Sequence, residues 1–167
     1  MSNFKKDLER GIYYEKKAIN ILKLYGFKQL ERVEGYNIGY DIKGTYKKQK
    51  VTIEVKYNKY ATYTGLFFIE VAKKDLSPSG LSATTADYYI LFNYFDCWIL
   101  RTVDLQEALE QYIKKIIKRR NPTRDHMTRY IIESGTYTTN TLGILLPIKI
   151  IEKYALFISN HKIKKIK

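Results

Sequence analysis

The chain has 167 residues, 45% of them hydrophobic, which suffices for one domain with a proper core and sets it among globular rather than disordered chains. Thirty lysines and arginines stand against 17 acids, a net charge of +13 that attracts polyanions, chiefly nucleic acid or an anionic membrane surface; a merely lysine-rich composition is the alternative. One cysteine, Cys97, and two histidines, His126 and His161, exclude a disulfide framework, a cysteine-based zinc site and a multi-histidine metal cluster.

Taken in order, the N-terminal MSNFKKDLERG has no apolar signal core. Ser2 or Asn3 can cap a helix running to about Tyr25 and ended by Gly26. Its apolar stripe is Leu8, Ile12, Ile19 and Leu22, and the missing member in the middle is Glu15. An unpaired buried carboxylate is unfavourable, so Glu15 either snorkels at the rim beside Lys16 and Lys17 or serves a site. A first strand follows at 27–33, then a turn at Glu34-Gly35.

Two β-type runs, 40–46 and 51–57, flank a polar turn at Lys47-Lys48-Gln49-Lys50 and predict a hairpin. In that register Asp41 faces Lys56 and Lys43 faces Glu54, all four on one face, because side chains alternate along a strand. Ile42, Ile53 and Val55 take the other face and enter a core. Two carboxylates and a lysine gathered this way suit a divalent-metal hydrolytic site; they also suit a ladder of cross-strand salt bridges.

The next stretch, KYNKYATYT, interleaves tyrosines with Lys56 and Lys59, a pattern that stacks on bases or packs as ordinary surface. LFFIEV predicts a strand carrying a further carboxylate, Glu70, either near the site or facing solvent. Residues 73–86 form a hydroxyl-rich loop, in which Ser79, Ser82, Thr84 and Thr85 offer donors to phosphate or simply make turns. Strands at 88–95 and 97–101 place Cys97 and Trp98 in the core.

Thr102 caps a helix to about Lys118 with Leu105, Leu109, Tyr112 and Ile116 on one face, stopped by Pro122. Lys114, Lys115, Lys118, Arg119, Arg120, Arg124 and Arg129 make the densest basic stretch, a phosphate-backbone track or a solvated helix end. Beyond it come a strand at 130–133, a Thr-rich turn, apolar segments and a basic tail at 162–167. The longest apolar run, 142–151, is broken by Pro147 and Lys149 and spans no membrane, so a reducing cytoplasm is the expected location, the host's for a viral protein. The expected organisation is a core domain at 1–120 with a C-terminal extension, 121–167, packed on it. No repeat, phosphate-binding loop or dinucleotide glycine pattern is present.

A helical glutamate, an aspartate opening a strand and Glu-Val-Lys on the next strand together resemble the PD-(D/E)XK nuclease superfamily, and within it the Holliday-junction-resolvase-like and small phage or viral nucleases. The stretch TGLFFIEV…SGLSATTADYYILF also resembles segments of phage proteins. The resemblance covers roughly residues 8–100. It implies an α/β (α+β) fold with a restriction-endonuclease-like core: helix, three antiparallel strands, helix, strand, in a central mixed sheet flanked by helices. It assigns Glu15, Asp41, Glu54 and Lys56 as catalytic, with Asp41, Glu54, Glu15 and the Val55 carbonyl holding Mg²⁺, for which Mn²⁺ substitutes. DNA is the implied partner, with Lys43, Lys59, Ser79, Lys115, Lys118, Arg119, Arg120 and Arg124 as candidate contacts, and a homodimer as one admissible assembly. The implied activity is a structure-selective or non-specific endonuclease; the alternative is a non-catalytic nucleic-acid-binding protein on the same fold. Two departures stand out: Tyr40 precedes Asp41 where proline is common, and the 73–86 loop falls where the family has its second core helix.

Overall fold

Two runs without a polar break, YYILF and CWIL, explain the middle of the molecule: strands buried on both faces need no alternation. A computed structural model describes residues 3–35, 39–119, 131–134 and 141–160. Its elements are α1 (Asn3–Leu24), β1 (Lys28–Arg32), β2 (Ile42–Tyr46), β3 (Gln49–Tyr57), α2 (Ala61–Thr64), β4 (Leu66–Lys73), a 3-10 turn (Gly80–Ser82), β5 (Tyr88–Phe92), β6 (Asp96–Arg101), α3 (Thr102–Arg119), β7 (Ile131–Ser134), β8 (Thr141–Pro147), α4 (Ile148–Tyr154) and β9 (Phe157–Asn160).

Six strands form a mixed sheet in the order β1-β2-β3-β5-β6-β9, and β4-β8-β7 form a second, antiparallel sheet. Among the described strands of the larger sheet only β3 and β5 run parallel, Glu54 lying beside Tyr89 and Lys56 beside Leu91. Parallel neighbours need a crossover, and here the chain uses α2, β4 and the 3-10 turn. The expected loop at 73–86 is therefore present, but the crossover's main element is a strand of the second sheet rather than a helix.

The two faces of the larger sheet bury separate clusters. Ile42, Ile53, Ile90, Phe92, Cys97 and Ile99 meet Tyr14, Ala18, Ile21 and Leu22 of α1. Tyr89, Leu91, Trp98 and Leu100 meet the second sheet, α3 and α4 through Phe67, Ile69, Leu146, Leu105 and Ile151. Cys97 is fully buried, and burial pushes its thiol up to about 12, which leaves it an inert core residue. Past residue 140 the chain contributes β8 to the second sheet and β9 to the edge of the first. Among the described residues no helix is long and apolar enough to cross a membrane.

Two expectations are corrected. The hairpin turn has two residues, not four: Lys47 and Lys48 both sit at positive φ, 49° and 66°, and Tyr46 pairs with Gln49. That primed turn matches the right-handed strand twist, although it lacks the Asn-Gly that usually announces it. The register moves by two, so Ile42 opposes Ile53 and Lys43 opposes Thr52, not Glu54. Because the slip is even, every side chain keeps its expected face. The α1 stripe is corrected too: Leu8 is 54% exposed, and the buried face is Tyr14, Ala18, Ile21 and Leu22. Glu15 thus lies on the rim of the packed face rather than in its middle.

Candidate active site

The site is built around the end of β3. Glu54 and Lys56 point away from α1, on the face where their β5 neighbours Tyr89 and Leu91 enter the second cluster. Glu54 is buried, and its Oε1 lies 2.6 Å from the Lys56 ammonium, whose side chain stays 46% exposed. Asp41 stands just ahead of β2. Its N–H donates to the Ile53 carbonyl at 3.0 Å, and its own carbonyl accepts from Val33 N–H at 2.8 Å. With its backbone fixed on both sides, its Oδ2 accepts the Val55 N–H at 2.7 Å. The extra interaction joins β2 and β3 where the ladder ends.

The electrostatics tie these groups together. Burial raises the Asp41 carboxyl above its ordinary range, against the Val55 N–H and Lys56, which favour the charged form. Burial raises Glu54 as well; Lys56 opposes this, while Asp41 and Glu70 add to it. Burial alone would lower the Lys56 ammonium, but Glu54, with Asp41 and Glu70 behind it, holds its pKa above the ordinary value. Lys56 is therefore a cation at neutral pH.

Glu70 reaches the same group from β4. Its Oε1 accepts the Ser79 hydroxyl, and the chain at Gly80 (φ +51°) runs so close that an added Cβ would lie 2.5 Å from the Glu70 carbonyl oxygen. Only glycine fits there. A cavity of about 250 Å³ lies between β3 and β4, with Lys56, Tyr57, Asn58, Glu70, Gly80 and Tyr89 in its wall. Strand alternation could put Glu70 on either face; the pairing of β4 in a separate sheet is what turns it toward Lys56.

Glu15 approaches from the other side. Burial first, then Asp41, raises its pKa, but its Oε2 is bonded at 3.3 Å to Arg32 of β1 rather than to Lys16 or Lys17. The charges acting on Glu54 are those of Lys56, Asp41 and Glu70. Among the described residues no three of His, Cys, Asp and Glu come together as a metal-binding group. The donor set suits Mg²⁺ in kind, since that ion takes hard oxygens from one or two carboxylates and completes its shell with water and substrate phosphate.

The remaining expected contacts scatter. Lys43 pairs with Glu31 of β1 at 3.1 Å, both exposed. Lys59 lies 4.9 Å from the Tyr60 ring, Ser79 serves Glu70, and Lys115 is exposed on α3. The side chains of Lys118 and Arg119, together with Arg120, Arg124 and the tail at 162–167, lie outside the described residues. Comparison with protein-family models, with curated proteins and with solved structures gives no match.

Proposed function

We propose that the chain is a Mg²⁺-dependent DNA endonuclease of the PD-(D/E)XK type, structure-selective or non-specific, with Mn²⁺ as a substitute ion. The observation that carries this reading is the convergence of Asp41, Glu54 and Lys56 at the open end of β3. The chain order supports it: a helix, three antiparallel strands, a crossover, and a strand parallel to the third. The crossover departs from the family in holding β4 where a helix is expected.

Asp41 and Glu54 are the residues that would hold the ion, beside the Val55 carbonyl. Bound there, it supplies charge neutralisation at the scissile phosphate and a more acidic water. The protein's own part follows from the site. Two carboxylates whose charged forms are disfavoured by burial, that of Glu54 also by Asp41, gain from a nearby cation, so the site is selective for positive charge. Lys56, held protonated, neutralises a phosphate oxygen or orients the attacking water through its N–H groups; a general-base role would need the neutral amine. The net charge of +13 supplies DNA affinity without reading bases.

A second reading has its own support. The Glu54–Lys56 pair at 2.6 Å and the Glu15–Arg32 pair at 3.3 Å satisfy their charges internally, as a non-catalytic nucleic-acid-binding protein would require. Cleavage assays on junction, flap, nicked and plain duplex DNA with Mg²⁺ or Mn²⁺ separate the two. The nuclease reading expects cutting that Asp41→Asn abolishes while DNA binding persists. Undiminished cutting by Asp41→Asn refutes the site, and a wild type that binds every substrate but cuts none favours the second reading.

A further inference from the structure

Among the described residues the exposed aromatic side chains are Tyr13, Tyr60, Tyr63, Tyr94 and Phe95, from 45% to 82% exposed, and they gather at one end of the larger sheet. Three connections bring them there. The β5–β6 turn is fastened to α2 by the Tyr94 N–H donating to Thr62 Oγ1 at 2.9 Å. The segment leaving β3 is fastened to β5 by Asn58 N–H on the Phe92 carbonyl at 2.8 Å. On the α1 side Tyr13 packs edge-on against Tyr14 at 5.1 Å, and Tyr14 stacks on Tyr57 at 3.9 Å. Other tyrosines of this tyrosine-rich chain, such as Tyr14, Tyr46, Tyr88 and Tyr89, are buried or half-buried, so composition alone does not explain why the exposed rings share one end.

We infer that this end of the sheet is a stacking platform for unpaired nucleobases, and that the DNA this protein engages carries a single-stranded segment beside the phosphate to be cut. Two observations select that occupant. The first is charge: Lys59 lies 4.9 Å from the exposed Tyr60 ring, and Lys17 lies 5.6 Å from Tyr14, the buried ring on which the exposed Tyr13 packs, so cations stand beside the platform as a phosphate backbone requires. The second is continuity: Tyr57 and Asn58, which lead into the platform, also line the cavity that holds Lys56 and Glu70. Stacking on aromatic faces tolerates any base sequence, which suits a protein that reads no base edges. Duplex DNA keeps its bases paired and stacked, and offers these rings only its ends.

The location of the cut rests on the nuclease reading, whereas the platform is tested without cleavage. Binding of a labelled oligothymidylate and of a blunt duplex of equal length is measured by fluorescence anisotropy in EDTA at fixed salt, for the wild type and for Tyr60/Tyr63 double variants. The alanine pair weakens single-strand binding about 25-fold, roughly fivefold for each ring, and duplex binding less than about twofold. The phenylalanine pair keeps the rings and restores the single-strand affinity; the leucine pair keeps apolar bulk and does not. Equal losses on both DNAs, no loss on either, or leucine performing as well as phenylalanine overturns the inference. So does a wild type that sediments as a dimer and is made monomeric by Tyr63→Ala, since a second copy then covers the rings. Thermal unfolding of each variant guards against global damage. A wild type that binds DNA but cuts none counts against the nuclease reading, and cutting that survives Asp41→Asn counts against the site; both leave the platform standing.

Discussion

Replacing Asp41 separates the chemistry of the site from its structural role, because the carboxylate does two things. It carries charge among buried groups, and its Oδ2 accepts the Val55 N–H at 2.7 Å. Asparagine keeps an acceptor for that N–H and loses the charge; alanine loses both. Leaving a half-buried backbone donor unpaired costs about 1–3 kcal/mol, so Asp41→Ala should be less stable than Asp41→Asn by that amount. For a chain of this size each kcal/mol moves the melting temperature by roughly 2–4 °C. The pH dependence has a definite sign. Burial raises the folded-state pKa of Asp41, so its protonated form stabilises the fold below the ordinary aspartate range, and that contribution fades as pH rises through the raised value. Asp41→Asn should therefore gain stability over the wild type at neutral pH and lose that gain near about pH 4, where the wild type also becomes neutral. Thermal unfolding followed by circular dichroism at both pH values, beside the cleavage assay, reads all of this. An alanine variant as stable as the asparagine variant, or an asparagine variant less stable than wild type at neutral pH, refutes the argument.

Three further outcomes follow from the same geometry. Mg²⁺ should raise the melting temperature of the wild type, by about 2.7 kcal/mol of stability at a hundred times its dissociation constant, and should leave Asp41→Asn unmoved. Gly80→Ala should destabilise the fold by about 1–3 kcal/mol in urea unfolding, since φ +51° and a 2.5 Å approach to the Glu70 carbonyl both oppose a Cβ there; a neutral variant would mean that the loop adapts freely. Lys43→Ala should change stability by less than about 0.5 kcal/mol and leave cutting intact, because its partner Glu31 is an exposed residue of β1; a cutting defect would put Lys43 back at the site.

The sequence by itself determined what repeats locally. Period-two alternation put Asp41, Glu54 and Lys56 on one face of the hairpin, and that assignment survived the wrong turn length because both loops are even. The helix bounds at Gly26 and Thr102 were equally legible, since caps and breakers act over a few residues. Only the tertiary structure decided the partners. Glu15 interrupts the stripe of Leu8, Ile12, Ile19 and Leu22 in the sequence, but the packing of α1 on the sheet selects Tyr14, Ala18, Ile21 and Leu22 as the contact face; its ion pair with Arg32 joins residues 17 apart. Glu70 could not be assigned a face until β4 was seen to leave the larger sheet and pair with β8, a strand that begins about 70 residues later in the chain. The exposed tyrosines likewise became a surface only when the β5–β6 turn met α2. Each of these depends on a contact between distant segments, whose formation is governed by the packing of two separate clusters and leaves no periodic trace in the chain.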